Sequence, residues 1–519
     1  MRTTPPPPPL QTPNVSHQTN IAANPPTGYN FTFTLRAGAG AGTQQVVEQL
    51  QYMEFRFVNV LLDTGSPLSL PDLSLSAWGV QARWAAAETS FNSSNATLNA
   101  VFELCRYTLQ AGVLETYTDS NTRERRPYEA DGLIAATSRA WLQSDPLWAR
   151  HSHAFVLQNP TWPIEWRQMT ADLAWADYMA TGSADFAEAF WPTLLSNTHY
   201  PADADETGLL NATRGRHIVD WYPGPSKAMF RESEHLSVNI FFALGGLRKL
   251  AALATAAGNS TRAALAAQLA ETLQSAVTER MALSNGDLCD GACADPAIGN
   301  FSGVTTAAWG LFTGVTPPAG VPAAFARLAH WGQENFGDYG QFIYLSALNA
   351  VPDGDDGTAT LAALAKCDDE SWCSQIETQN CTMTRETPIL IGTYSHAWGT
   401  AAISGVAGGL LGITQTAPAW AAFRVAPRLG GLRFASLAVP TLRGQIIVDA
   451  NVTHTSVAVP CGARATLCAR RSGGGDAGAE RTLLLDGRPV AAATTTALHL
   501  CVDSVGCGAS GAARVVTAV

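Results

Sequence analysis

The sequence predicts a mainly α-helical protein, with a large helical domain between a short N-terminal β-region and a C-terminal β-sandwich. Apolar residues recur at helical spacing from about residue 95 to about residue 415, whereas alternating or β-rich stretches lie before and after. The chain has 519 residues, of which 46% are hydrophobic and 14% are charged. A chain of this length and composition is expected to form two to four domains with large cores.

The N-terminal part divides into a tail and a β-region. Residues 1–27 are rich in proline and polar side chains that cannot bury a core, so we expect a disordered tail. Residues 29–37 and 51–60 alternate apolar and polar side chains, which is typical of half-buried strands. Together they predict a partial β-domain over residues 28–94.

In the rest of the chain, the hydrophobic pattern changes once, from helical spacing to short β-rich stretches. Roughly ten to twelve helical segments, separated by polar or Gly/Pro-rich breaks, predict an all-α domain over residues 95–415. Over residues 416–519 the chain turns to short β-rich stretches between Gly-rich turns. This pattern predicts a C-terminal β-sandwich.

Charge and aromatic content indicate which partners the chain can bind. The net charge is −11, and the densest basic group is Arg123, Arg125 and Arg126. We therefore expect no nucleic-acid partner, because phosphate binding needs larger clusters of Lys and Arg. The 14 Trp, 11 Tyr and 19 Phe favour a carbohydrate or glycoside substrate, since aromatic faces stack on sugars. No stretch reaches the roughly 18 apolar residues of a membrane span, and the oligomeric state stays open.

Cysteines and glycosylation sequons indicate the compartment. The ten cysteines lack zinc-type spacing, so disulfides in an oxidising compartment are the better interpretation. Eight of them lie in close pairs: Cys289 and Cys293, Cys367 and Cys373, Cys461 and Cys468, Cys501 and Cys507. Nine N-x-Ser/Thr sequons favour a glycoprotein of the secretory route, secreted or lumenal. The first 14 residues contain no apolar run typical of a signal peptide, so a fragment or a cytoplasmic protein stays open.

The segment DSNTRERRPYEADG, from Asp119 to Gly132, concentrates charged residues just before a helical run. Glycosidases need two carboxyl groups across the scissile bond, one to protonate the leaving oxygen and one to activate water or attack carbon. Like-charge repulsion within such a cluster raises the pKa of one member, which suits a general acid. By charge alone, the alternative is a solvated loop.

This segment resembles the signature loop of the α-L-rhamnosidases of glycoside hydrolase family 78, D-C-P-x-R-E-R-x-G-W-x-G-D. The residues in register are Asp119, Arg123, Glu124, Arg125 and Asp131. The chain departs from the pattern at two places, with Ser120-Asn121 for Cys-Pro and Pro127-Tyr128 for Gly-Trp. Further segments resemble the family in the same order: NPTWPIEW with the helix pair that follows (159–194), VDWYPG (219–224), YSHAWGTAAISGV (394–406) and the join to the C-terminal sandwich (409–448).

The resemblance implies an (α/α) six-hairpin toroid over residues 95–415, with the flanking β-region and β-sandwich. It implies an enzyme that removes terminal α-L-rhamnose or a similar sugar, with Glu124 as the general acid. Arg123 would steady a carboxylate or bind a hydroxyl. The sugar would be held by Asp119, Asp131, Tyr128, Asp220, Trp221, His396 and Trp398.

The catalytic base is a choice between two glutamates. In the family it lies shortly before the S-H-x-W element, an interval that here contains Glu377 and Glu386. We prefer Glu377, which follows an apolar residue and leaves a loop before the element, and keep Glu386 as the second choice. The family mechanism is inversion, for which the carboxyl groups are roughly 6.5–9.5 Å apart. No cofactor or metal is implied.

Other interpretations stay open. The chain could be a non-catalytic carbohydrate-binding relative, a six-hairpin glycosidase of different sugar specificity, or an α-solenoid scaffold, although no fixed repeat supports the scaffold. VLLDTGS (60–66) matches half of an aspartic protease site, but no second such loop follows. His151 and His153 are two residues apart, whereas a helical zinc pair needs four.

Overall fold

The computed structural model describes residues 74–85, 88–121, 123–221, 225–351, 353–387, 392–393, 395–470, 482–508 and 513–518, together with 18–19, 29–30 and 46. The predicted tail, the predicted strands at 29–37 and 51–60, and the VLLDTGS segment lie almost entirely outside these residues. What is described there is a pair of short antiparallel strands, β1 (Gln18–Thr19) and β2 (Tyr29–Asn30).

Helices make up most of the described chain between residues 96 and 410. In order they are α1 (Ala96–Gly112), α2 (Glu129–Ala140), α3 (Leu147–Gln158), α4 (Ile164–Gln168), α5 (Thr170–Thr181), α6 (Asp185–Ala189), α7 (Trp191–Asn197), α8 (Pro225–Met229), α9 (Ser237–Ala256), α10 (Ser260–Arg280), α11 (Val304–Thr313), α12 (Val321–Trp331), α13 (Asp338–Asn349), α14 (Thr358–Ala365), α15 (Trp372–Glu377) and α16 (Ala402–Ser404). A π-helical turn, Gly405–Leu410, follows α16. Helices thus dominate the part of the chain in which the helical domain was predicted.

Local sequence explains where these helices begin and which face they bury. Asn95 caps α1 by accepting a hydrogen bond from the backbone N–H of Leu98, and Asn259 caps α10 in the same way. Helix α10 buries Ala266, Ala270 and Leu273, which follow one another at spacings of four and three. This spacing places them on one face, and α10 packs against α9.

Helix α9 lies at the centre of the helical domain and contacts α4, α5, α10 and α11. It is long and apolar enough to cross a membrane by length and composition, and it is the one described helix that passes this test. However, 72% of its apolar window is buried inside the fold, as in the core helix of a globular domain.

The first and last helices of the domain are neighbours. Helix α1 packs against α14, α15 and α16, although some 250 residues separate them in the chain. Their apolar side chains join the same hydrophobic core as the central helices. The C-terminal end of the domain thus returns to its N-terminal end.

Two sheets follow the helices. The seven-stranded sheet has the order β11-β10-β14-β8-β7-β6-β3, and the five-stranded sheet has the order β12-β13-β9-β5-β4. All neighbours are antiparallel except β5 and β9, and β9 contacts β8 and β14 of the other sheet, so the two sheets face each other. The strands are β3 (Phe91–Ser93), β4 (Ile413–Gln415), β5 (Ala422–Val425), β6 (Phe434–Thr441), β7 (Gly444–Asn451), β8 (His454–Ala458), β9 (Arg464–Arg470), β10 (Leu483–Leu485), β11 (Arg488–Val490), β12 (Thr494–Thr495), β13 (His499–Val505) and β14 (Arg514–Ala518).

Strand β3 changes one predicted boundary. We assigned residues 28–94 to an N-terminal β-domain, but β3 pairs with β6 and so forms the edge of the C-terminal seven-stranded sheet. The three residues of β3 do not indicate their partner, because that partner follows the helical domain in the sequence. The sheet therefore holds both ends of the helical region.

The described residues form four disulfides. Two of them join the cysteines of one close pair, and the other two join cysteines that belong to different close pairs. Cys289–Cys293 and Cys367–Cys373 close short local loops. In the sandwich, the antiparallel register of β9 and β13 places Cys468 opposite Cys501, and these two are bonded. Cys461 and Cys507, which flank this pair in the sequence, form the fourth disulfide. The tertiary register, and not sequence proximity, decides this pairing.

Candidate active site

The acidic loop, defined here as residues 119–131, is closed at its base by its own backbone. The N–H of Asp119 donates to the carbonyl of Arg126 at 3.0 Å, and the N–H of Arg126 donates to Asp119 Oδ1 at 2.9 Å. Ser120 forms a β-bridge with His396, and Ala397 N–H donates to the carbonyl of Asp119. The loop is therefore fixed against the segment that carries the predicted His and Trp.

The structure brings Glu124 together with Glu386 through one guanidinium. Arg123 Nη1 lies 2.8 Å from Glu124, and Nη2 lies 2.8 and 2.7 Å from the two oxygens of Glu386. The Glu124 side chain is about one third exposed, whereas that of Glu386 is buried. A carboxyl group at the solvent edge thus faces a second one at the bottom of the site, with a cation between them.

Glu386 is held from several sides. Thr393 donates to it from its backbone N–H at 2.8 Å, and the Trp221 indole donates at 3.3 Å. Burial acts to raise the pKa of Glu386, but the charges of His396, when protonated, and of Arg123 lower it below its usual range. Since burial lowers the pKa of His396 to about 3, Arg123 is the charge that keeps Glu386 ionised at neutral pH.

The structure does not bring Glu377, our preferred base, to this cluster. Glu377 is the last residue of α15 and its side chain is exposed. The short helix ends there, and the chain reaches the site only at Thr384 and Glu386, where Thr384 accepts a hydrogen bond from the backbone of His396. The second choice, Glu386, lies in this cluster instead.

Asp131 and His396 form a buried pair behind the loop. Asp131 Oδ1 lies 3.5 Å from His396 Nδ1, and both side chains are almost fully buried. Burial, followed by the charge of Asp119, raises the pKa of Asp131 well above its usual value. Burial also raises the pKa of Asp119, to about 6, against the hydrogen bonds from Arg126 and Ser120. Burial therefore favours the protonated form of Asp131 and the neutral form of His396.

Aromatic rings pack beside this pair. The His396 and Trp398 rings lie 4.3 Å apart, and Trp398 contacts Trp166, which in turn meets Tyr128 edge-on at 5.8 Å. Trp166 Nε1, Asp131 Oδ1 and His396 Nδ1 form no hydrogen bond with a described residue. Flat apolar faces with unused donors and acceptors are the surface that a sugar ring requires.

Asp220 and Trp221, both predicted to bind sugar, have different positions. Asp220 is fully buried and accepts hydrogen bonds from the backbone N–H groups of Gly337 and Gly340 and from that of Trp221. These bonds make it a cap for the start of α13. Trp221 is 38% exposed and reaches Glu386. The structure thus gives Asp220 a positioning role and leaves Trp221 at the rim of the site.

Two buried carboxyl groups near the site were not predicted. Glu165 accepts hydrogen bonds from the N–H groups of Ile218 and Val219 through Oε1. It lies in the PTWPIEW segment that resembles the family, so a signal for it was present. Asp338, at the start of α13, has no hydrogen-bond partner for either oxygen among the described residues. Burial, together with Asp220, raises the pKa of Asp338 to about 8.

We expect Asp338→Asn to stabilise the protein at neutral pH and to have little effect in acid. The pKa is about 8 in the fold and 3.8 ordinarily, so between these values the unfolded chain loses a proton that the fold retains. Ionisation of the unfolded chain therefore costs stability as pH rises from about 4 to about 8, by up to about 4 kcal/mol at pH 7. Urea unfolding at pH 4.5 and 7.5 measures the difference.

A matched control for that experiment is Asp177→Asn. Asp177 is buried but accepts two hydrogen bonds from Arg150, at 2.8 and 2.7 Å, so its replacement should cost on the order of 2 kcal/mol at pH 7.5. An equal gain for Asp338→Asn at both pH values would contradict the proposed ionisation cost.

The described residues contain no group of three or more His, Cys, Asp or Glu side chains arranged to hold a metal ion. The two histidines of α3 do not converge. His151 is exposed, whereas His153 is buried and packs against Phe186. They offer no zinc site.

Two family models match the chain. The bacterial alpha-L-rhamnosidase six-hairpin glycosidase domain matches residues 86–386, and the bacterial alpha-L-rhamnosidase C-terminal domain matches residues 412–483. The first match alone spans more than half of the chain and contains the acidic loop and Glu386. No curated protein sequence matches the chain.

Solved structures with the same fold include several α-L-rhamnosidases. That of Streptomyces avermitilis, complexed with L-rhamnose, has a TM-score of 0.66 and 14% identity over 83% of this chain and 42% of its own. The family 78 rhamnosidase of Bacillus sp. GL1 has a TM-score of 0.58 and 20% identity over 71% of this chain and 41% of its own. The Aspergillus terreus enzyme has a TM-score of 0.65 and 16% identity over 83% of this chain and 50% of its own.

The chain thus spans half or less of the length of these enzymes. Within that length the first family model covers the helices with the acidic loop, and the second covers part of the C-terminal sheets. The chain therefore belongs to the family of bacterial α-L-rhamnosidase six-hairpin glycosidases.

Proposed function

We propose that the chain removes terminal α-L-rhamnose, or a closely similar sugar, from a glycoside by an inverting mechanism with two carboxyl groups. The observation that carries this proposal is the pair of Glu124 and Glu386 on either side of Arg123. Glu124 is the general acid, at the open edge where a leaving group departs. Glu386 is the general base, kept ionised by Arg123. Here it replaces Glu377, which is exposed outside the cluster.

The spacing of the two carboxylates supports a water between them. Arg123 lies 2.8 Å from Glu124 and 2.7 Å from Glu386, so its planar guanidinium limits the separation of these oxygens to about 8 Å. Inverting glycosidases separate the two groups by roughly 6.5–9.5 Å, enough for the attacking water. The limit is compatible with that range.

The sugar would lie among Asp119, Asp131, His396 and Trp398, with Tyr128 and Trp221 at the rim. Burial favours the protonated form of Asp131 and the neutral form of His396, and in these forms the pair offers a donor and an acceptor to sugar hydroxyls without burying a net charge. Asp220 would act indirectly, by fixing the start of α13. The contacts of α1 with α14, α15 and α16 support closure of the hairpins into a toroid around this site.

Turnover of 4-nitrophenyl glycosides tests this function. We expect the purified chain to cleave the α-L-rhamnoside at least tenfold faster than the α-D-mannoside or β-D-glucoside. Proton NMR should show β-L-rhamnose as the first product, because inversion converts the α-linkage to the β-anomer. Rhamnose binding without turnover would indicate a non-catalytic relative, and faster cleavage of another glycoside would indicate a different specificity.

We also infer that the protein works in an oxidising compartment. Four disulfides are formed, and nine sequons are present in the sequence. Both features are typical of secreted or lumenal glycoproteins.

A further inference from the structure

A cleft of about 350 Å³ opens next to the acidic loop. It is lined by Arg126, Tyr128, Pro160, Thr161, Trp162 and Arg167, and we name it the arginine cleft. Its volume lies at the lower end of ligand sites, which span roughly 300–1,000 Å³. It has room for about one sugar unit.

The cleft adjoins the proposed general acid. Tyr128 lines the cleft, and its hydroxyl hydrogen-bonds the Glu124 carboxylate. A leaving-group oxygen that receives a proton from Glu124 would therefore lie at the mouth of the cleft. The unit attached to that oxygen, and not the cleaved sugar itself, would enter it.

The walls combine flat aromatic faces with arginines. Trp162 is 45% exposed, and Arg216 stacks over its ring at 4.7 Å. Arg126 lies over the Tyr128 ring at 5.6 Å. Arg167 uses its Nε to donate to the Thr161 carbonyl at 2.5 Å, which fixes the direction of its guanidinium. The exposed part of Trp162 is an aromatic surface that can accept a sugar ring.

The positive charge of the cleft is only partly balanced. None of Arg126, Arg167 and Arg216 forms an ion pair with an acidic side chain in the described part of the chain. The nearby Glu129 is buried, feels the charge of Arg167, and has its two oxygens occupied by Thr161. Glu124, the other acid beside the cleft, pairs with Arg123. Arg126 and Arg167 line the cleft and Arg216 lies against Trp162, so together they give this surface a local positive charge in a chain of net charge −11.

We propose that the arginine cleft binds a sugar carrying a carboxylate, so that the preferred substrate is a rhamnose linked to a uronic acid. The proposal rests on the proposed function for the direction of the substrate. Arginine recognises carboxylates through paired N–H donors, and the part of Trp162 that Arg216 leaves exposed provides a surface for the ring that bears the carboxylate. An uncharged aromatic leaving group would use the ring faces but leave the arginines without a partner.

The test compares two disaccharides that differ in one group. The first is α-L-rhamnosyl-(1→4)-D-glucuronate, and the second is the same compound with the carboxylate reduced to an alcohol. We expect kcat/KM to be at least tenfold higher for the uronate, and the preference to fall as NaCl rises from 0.05 to 0.5 M. The ratio of the two substrates cancels any general loss of activity.

Arg167→Gln/Arg216→Gln should reduce the preference to less than threefold, and Arg167→Lys should give an intermediate ratio, because lysine keeps the charge without the fork. Arg488→Gln, an exposed position on β11, makes the same charge change far from the cleft and should leave the ratio intact. Equal turnover of the two disaccharides by the unmodified protein, or a preference that survives the double substitution, overturns the proposal.

Binding separates this inference from the proposed function. NMR titration with methyl α-D-glucuronide and methyl α-D-glucoside measures the affinity of the cleft for each ligand without turnover. The protein could bind the glucuronide selectively, lose this binding in Arg167→Gln, and cleave no rhamnoside. That result would support the cleft and reject the hydrolase. Cleavage of the 4-nitrophenyl rhamnoside, with no selectivity for either uronate, would reject the cleft and support the hydrolase.

Discussion

Replacing Glu386 by Gln should reduce the turnover of every rhamnoside by about 10³-fold, because the amide cannot take a proton from the attacking water. Gln keeps the size of the side chain, so Thr393 and Trp221 can still donate to it. The loss should not depend on the leaving group, since the base acts on the water. The acidic limb of the pH profile should also disappear. Steady-state kinetics on aryl and alkyl rhamnosides measure both effects.

Glu377→Gln is the matched control, because it makes the same chemical change on an exposed side chain in the same interval of the sequence. It should alter kcat by less than twofold. Azide gives a second readout: with Glu386→Ala it should restore turnover and form the β-rhamnosyl azide. A large loss in Glu377→Gln, with normal activity in Glu386→Gln, would restore Glu377 as the base.

Glu124→Gln should have the second large effect, and here the leaving group should decide its size. A general acid contributes about 10²–10⁴-fold when the departing oxygen needs a proton. We expect a loss of about 10³-fold for the disaccharide and less than tenfold for the 4-nitrophenyl rhamnoside, whose phenolate departs without help. The basic limb of the pH profile should vanish in the same variant.

We expect this variant to fold normally, because Glu124 is partly exposed and Arg123 retains its bond to Glu386. Thermal unfolding checks this expectation. Equal losses on the two substrates would show that Glu124 does not protonate the leaving group. In that case Tyr128, the other group with an O–H near that position, would be the next residue to replace.

The acidic loop could be recognised in the sequence because its residues are local. Asp119, Glu124 and Asp131 keep fixed spacings within thirteen residues, and the closed base of the loop depends on hydrogen bonds within the same segment. The order of helical and β-rich stretches was equally visible, since periodicity reports which face each element buries. The structure accordingly has a mainly helical part followed by C-terminal sheets.

The sequence could not show which of the two glutamates joins the cluster around Arg123. Glu377 and Glu386 are nine positions apart in a stretch without a clear period, and the choice depends on which one meets Arg123, which is 263 residues from Glu386. Asp220 illustrates the same limit. An Asp before a Trp has the same sequence whether its oxygens face a ligand or, as here, the backbone of α13. Strand β3 and the crossed disulfides also depend on distant partners.

The pairing of β3 with β6 constrains how the protein is assembled during synthesis. Strand β3 leaves the ribosome before α1, whereas β6 is translated only after the whole helical domain. The helices can therefore begin to condense while Phe91–Ser93 is still without its neighbour. Once Phe434–Thr441 has emerged, it pairs with β3 and so links the two segments that flank the helical domain.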